Sequence, residues 1–122
     1  MQSAEIVANA RKAVEVEPDS AEAHFQYARL LEREGMLEEA CAEYAKACEM
    51  RADFVDAHVC CGSLLRRIGR AGDAEIHYKI AISMDPGNYY ARFSYAALLE
   101  DMKRYDEAEE EYLKAANIRA GE

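Results

Sequence analysis

Although about half of the 122 residues are apolar, the sequence has no run approaching the roughly 20 apolar residues that a membrane-spanning helix requires. Its opening, MQSAEIVANARKAVEVEP, is amphipathic and mixed in charge, without the apolar centre of a signal peptide. A soluble cytoplasmic chain with no membrane partner is the expectation. Positive charge is scarce: 15 Lys and Arg face 24 Asp and Glu, for a net charge of -9. Binding to a phosphate backbone depends on clustered Lys and Arg releasing counterions, so nucleic acid is not an expected partner. No C-x-x-C pair is present, and Cys41, Cys48, Cys60 and Cys61 sit inside helical patterns, not turns. That placement fits buried thiols in a reducing compartment better than a disulfide framework. Glycine-rich phosphate loops and nucleophile elbows are also missing, so neither a catalytic site nor a cofactor is expected. Length allows one domain with a continuous core and is too short for two.

What the sequence does have is repetition. AHFQYARLLE fills residues 23–32 and ARFSYAALLE fills residues 91–100, and halfway between them AHVCCGSLLR fills residues 57–66. A period of 34 divides the chain into a leading helix at 1–20 and units at 21–54, 55–88 and 89–122. Each unit splits into two helices. The first carries its apolar or small residues at the fourth, seventh, eighth and eleventh places: His24, Tyr27, Ala28 and Leu31, then His58, Cys61, Gly62 and Leu65, then Arg92, Tyr95, Ala96 and Leu99. That spacing is one face of a helix. The second helix alternates small and large residues, as in Ala40, Tyr44, Ala47 and Met50, which suits close packing against neighbours.

The breaks fall where the helices need them. Gly35 and Gly69 end first helices, where a left-handed residue costs glycine nothing. Lys103 takes that place in the third unit, at an expected cost of about 1 kcal/mol. Pro18 and Pro86 follow second helices, and Ser20, Asp53 and Asn88 are candidate caps for the helices after them. With residues 3–16 as one further helix, seven helices are predicted, and the fold class is all-α.

A 34-residue helix-turn-helix with a small eighth residue, Gly near the fifteenth place, Ala at the twentieth and twenty-seventh, an aromatic at the twenty-fourth and Pro at the thirty-second resembles the tetratricopeptide repeat. The likeness covers essentially the whole chain. Two departures stand out: the family's fourth-place Trp is His24, His58 and Arg92 here, and the late Pro is replaced by Ala52 and Ala120. The resemblance implies a single tetratricopeptide domain, a right-handed superhelical solenoid of antiparallel helix pairs. Its first helices would line a concave groove that binds a peptide or helix of a partner protein. Repeats of this family that clamp the C-terminal carboxylate of cytosolic chaperones use Lys, Asn, Asn, Lys and Arg at places filled here by Phe25, Arg29, Cys60, Tyr90 and Ser94. None matches, so a chaperone-tail adaptor is not expected.

By the family's geometry the groove would present Phe25, Arg29, Arg33, Val59, Ser63, Arg66, Arg67, Tyr90 and Phe93. Arg33 and Arg67 hold equivalent places in adjacent units, which predicts a spacing on the order of 10 Å. Guanidinium groups so arranged could hold carboxylates of an acidic partner bidentately, or simply pair with Glu32, Asp56 and their neighbours. For Phe25, Tyr90 and Phe93 the alternatives are ligand contact and packing between repeats. His24, His58 and His77 do not make a metal site by their spacing: His24 and His58 share one repeat place, and Cys60 and Cys61 are adjacent. The last expectation concerns the ends. A solenoid unit buries its apolar face only against neighbours, and nothing after the final helix would cover Tyr112, Leu113, Ala116 and Ile118, while Ile6 and Val7 face the same problem at the start. Either the chain was cut from a longer array or it associates with itself end to end, with Leu113 and Ala116 at the contact.

Overall fold

The computed structural model describes residues 2–121 and contains seven α-helices and, among the described residues, no strand. They are α1 (Gln2–Val16), α2 (Ala21–Arg33), α3 (Leu37–Met50), α4 (Val55–Arg67), α5 (Ala71–Met84), α6 (Tyr89–Asp101) and α7 (Tyr105–Ala120). Ser20 and Asn88 cap α2 and α6 by accepting from the backbone N–H of Ala23 and Ala91 at 3.1 and 3.0 Å. The expected cap at Asp53 is displaced by one residue. The equivalent place is held by Phe54, which is buried against Phe25, and Asp53 lies 3.7 Å from Arg51 instead.

Every first helix ends in the same turn. Gly35, Gly69 and Lys103 all take positive φ, at 82°, 85° and 62°. In each turn the next residue's N–H reaches back over the helix end: Met36 to the Leu31 carbonyl, Arg70 to Leu65 and Arg104 to Leu99, at 2.8 to 2.9 Å. This six-to-one bond closes the last carbonyls of the helix and reverses the chain into the next one.

Packing divides the chain into two compact units, Met1–Ala57 and His58–Glu122, the division falling within α4. In the first, α2 packs between α1 and α3, burying Tyr27, Ala28 and Leu31 with Ala40 and Tyr44. In the second, α6 lies against both α5 and α7 and buries Tyr95, Ala96, Leu98 and Leu99. Gly62 of α4 meets the buried Tyr78 of α5 so closely that a Cβ there would lie 3.0 Å from the Tyr78 ring.

Candidate interaction surfaces

Three cross-helix rungs replace the missing fourth-place Trp. His24 Nδ1 lies 2.6 Å from Glu43, His58 Nδ1 lies 3.0 Å from His77 Nδ1, and Arg92 donates to Glu111 at 2.9 Å. In each case the fourth place of a repeat meets its twenty-third. The outer two rungs also hold the turn before their helix, since His24 Nε2 and Arg92 Nε each lie 2.8 Å from the carbonyl oxygens of Pro18 and Pro86. The middle rung differs in kind, because two imidazoles share the site. Burial, and then the neighbouring His58, hold the His77 ring below its ordinary pKa, with Asp73 acting weakly in the other direction.

A second recurrent contact uses the tyrosine of each second helix. Tyr44 donates to Glu32 and Tyr112 to Glu100, both at 2.8 Å, linking the twenty-fourth place to the twelfth. In the middle repeat the twelfth place is Arg66, so the Tyr78 hydroxyl bonds Ser63 at 2.9 Å. Arg66 turns instead to Asp101, which it grips through Nε and Nη2. That bond holds the Asp101 carboxyl below the usual range and raises the Arg66 guanidinium.

The sequence-predicted groove residues divide by unit. In the first, Phe25 is not an open side chain: only 6% exposed, it packs on Phe54 and Tyr44 with ring centroids 4.8 and 6.0 Å away. Arg29 is exposed and lies over the Phe25 ring at 5.8 Å, and Arg33 is exposed with Glu34 at 3.8 Å. In the second, Tyr90 and Phe93 are 69% and 45% exposed on α6. They belong to an aromatic patch in which Tyr89 stands 5.5 Å from Tyr90 and 5.7 Å from Phe93, and Phe93 stands 5.3 Å from Tyr112. Arg67 is exposed, Val59 is half-buried, Ser63 is engaged with Tyr78, and Arg66 is held by Asp101. The ion pair of Arg66 with Asp101 was not among the sequence expectations. Its signal was the opposite charge at the twelfth and thirteenth places of successive repeats.

At the C-terminal end, Leu113 is 59% exposed and Ala116 is also exposed, while Tyr112 and Ile118 are half-buried. Leu113 and Ala116 line a groove of about 460 Å³ together with Glu100, Tyr105, Ala108, Glu109 and Tyr112. Tyr105, 61% exposed, is part of this surface that sequence reasoning missed; it fills the place of Leu37 and Ala71 in the other units and carries no helical-period signal of its own. At the other end Ile6 is exposed but Val7 is buried. Among the described residues no helix is long and apolar enough to cross a membrane.

Antiparallel helix pairs repeating at 34 residues, with the same turn in every copy and a rung between the same two places, define a helical-repeat protein of the solenoid class. Tetratricopeptide repeat models match residues 9–42 and 62–122, and the chain belongs to the tetratricopeptide repeat family. Similar solved structures include two of MamA, with TM-scores of 0.92 and 0.89 at 22% identity over 98% and 97% of this chain. A structure of MamA MSR-1 aligns over 98% of this chain with a TM-score of 0.86 at 18% identity. This chain spans 70%, 64% and 68% of those three chains. At such identities the likeness establishes the fold, an all-α solenoid of helix pairs. No curated protein sequence matches the chain.

Proposed function

We propose that the chain is a noncatalytic protein-protein interaction scaffold, and that its first helices bind an extended peptide or helix of a partner protein. The observation that carries this reading is the aromatic patch on α6. Tyr90 and Phe93 stand open to solvent beside Tyr89 and Tyr112, where burial would be expected if they served only the core. Exposed aromatics of this kind are what interfaces use as anchors. In the second unit Arg67 and Val59 supply charge and apolar surface; in the first, Arg29 and Arg33 are exposed, Arg33 with Glu34 at 3.8 Å, and Phe25 supports Arg29 from beneath. Ser63 and Arg66 shape the surface through Tyr78 and Asp101. The test is an array of acidic, aromatic-containing peptides probed with wild type and with Phe93→Ala and Arg67→Glu variants. Selected peptides should bind at least about tenfold more weakly to either variant, and equal affinity for all three proteins would remove the proposal.

A second reading is favoured by the open end of α7: a structural assembly segment whose contacts are made through the repeat end, with Leu113 and Ala116 at the junction. Self-association there predicts a mass that grows with concentration and reverts to monomer in Leu113→Glu, as measured by light scattering.

A further inference from the structure

The second unit contains a template for what the C-terminal groove would accept, because the equivalent face one repeat earlier is covered. Shifting the groove residues Glu100, Ala108, Glu109, Tyr112 and Ala116 back by one period gives Arg66, Ala74, Glu75, Tyr78 and Ile82. That earlier face carries α6. The Tyr78 and Tyr95 rings lie 6.3 Å apart, the Tyr95 hydroxyl donates to Glu75 at 2.8 Å, and Arg104, from the turn after α6, donates to Glu75 at 3.0 Å. Asp101, at the last turn of α6, answers Arg66. The hydrogen bonds from Arg104 and Tyr95 keep the Glu75 carboxyl below its ordinary pKa even though burial pushes it up.

The corresponding face of α7 repeats this design and is exposed. Glu109 holds the place of Glu75 and, among the described residues, has no hydrogen-bond or ion-pair partner. Glu100 holds the place of Arg66, so the charge required opposite it is inverted. Leu113 replaces Lys79, which makes this face more apolar than its covered counterpart. We propose that the groove formed by Glu100, Tyr105, Glu109, Tyr112, Leu113 and Ala116 docks an amphipathic helix of a partner protein that ends in a basic turn. Its stated chemistry follows from the template. A hydroxyl donor on the apolar face, in the place of Tyr95, would meet Glu109. A Lys or Arg six residues later, in the place of Asp101, would meet Glu100, and a second cation three residues beyond that, in the place of Arg104, would complete the Glu109 pair.

This rests on the same exposed α7 face as the second reading above and gives it a different occupant, a partner helix in place of a second copy of this chain. Two such ends brought together would oppose Glu100 and Glu109 to themselves, a like-charge contact. The helices of this chain with a tyrosine at the corresponding place, α2 and α6, are already packed within their units.

The probe is a fluorescent, helix-stabilised peptide copying residues 89–104, with Asp101→Lys, titrated by anisotropy against the full chain; the unaltered copy is its control. The Lys peptide is expected to bind at least about tenfold more tightly than the control. Leu113→Glu in the protein should abolish binding, as should Ala116→Lys as an independent variant if either one folds poorly. Glu100→Lys should reverse the preference and favour the Asp peptide, a coupling that a merely sticky surface would not produce. Equal affinity for both peptides, binding retained in Leu113→Glu and Ala116→Lys, or no reversal in Glu100→Lys overturns the proposal. A concentration-dependent mass that is lost in Leu113→Glu and that the Lys peptide cannot compete away overturns the assignment to a partner helix and gives the face to a second copy. None of these results bears on the first-helix surface, which stands or falls by its own variants.

Discussion

At the scale of single residues, two phenylalanines that hold the same place in repeats one and three have parted. Phe25 is buried between Phe54 and Tyr44, whereas Phe93 remains half open beside Tyr89 and Tyr112. The difference traces to the residue before the next helix. Phe54 sits where Ser20 and Asn88 cap their helices, and it closes over Phe25. Phe25→Ala should therefore cost about 3 to 5 kcal/mol, as truncation of a buried aromatic does, and Phe93→Ala clearly less; urea unfolding of both variants decides it, and similar losses would refute the distinction. Lys103 offers the opposite kind of change. Its φ of 62° is one that L side chains adopt at a cost and glycine does not, as Gly35 and Gly69 show at the equivalent turns. Replacing Lys103 with Gly should raise stability by up to about 1 kcal/mol, since relief of strain outweighs the added freedom of the unfolded chain. A lower urea midpoint in that variant would mean that the Lys side chain stabilises the turn.

At the scale of helices and their pairing, the rungs explain how a repeat can lose its fourth-place Trp and still hold its two helices in register. A side chain at the fourth place bonds across to the twenty-third, and the chemistry of the pair varies while the geometry is kept: His24 with Glu43, His58 with His77, Arg92 with Glu111. The middle rung makes the structure sensitive to acid. His77 takes up its proton at lower pH when folded than when unfolded, so between those two pH values the unfolded chain binds more protons. Stability is then fully present above the ordinary histidine pKa of about 6.5 and is lost as pH falls through it. Thermal melts between about pH 7.5 and 5.5 should show a steeper fall for wild type than for His77→Gln, and parallel curves would remove this role. The helix register was legible in the sequence because three copies vote on each place; Ala28, Gly62 and Ala96 expose the period even where their neighbours have drifted. The rungs were not, because a nineteen-residue offset between polar side chains gives no periodic signal within one helix. The site was legible in part. The exposure of Leu113 and Ala116 was expected from their place on the outer side of α7, while Tyr105 and the inverted charge at Glu100 required seeing how α6 covers the equivalent face.

At the scale of the whole molecule the governing fact is an excess of acid, 24 carboxylates against 15 basic side chains. Two effects of salt compete. Screening weakens the ion pairs, among them Arg70 with Asp73 at 3.3 Å and Lys114 with Glu111 at 3.4 Å, but exposed pairs of this sort contribute only about 0 to 1 kcal/mol each. Screening also relieves repulsion among the unpaired carboxylates, which are held closer together in the folded chain than in the unfolded one. Acidic clusters concentrate this repulsion, as at Glu109 and Glu110 on α7 and at Glu38 and Glu39 on α3. Pairs with better shielding, such as Arg92 with Glu111 and Arg104 with Glu75, are screened less and change little over the same range. Repulsion should therefore dominate, and the melting temperature should rise by a few degrees as sodium chloride goes from about 20 to about 300 mM, spanning Debye lengths from well above to well below 10 Å. A control series in a variant carrying Glu109→Gln and Glu110→Gln should start higher and rise less. A melting temperature that falls with salt in wild type would mean that the ion pairs outweigh the excess charge, and it would move the electrostatic stabilisation of this fold from the sparing of repulsion to the pairs themselves.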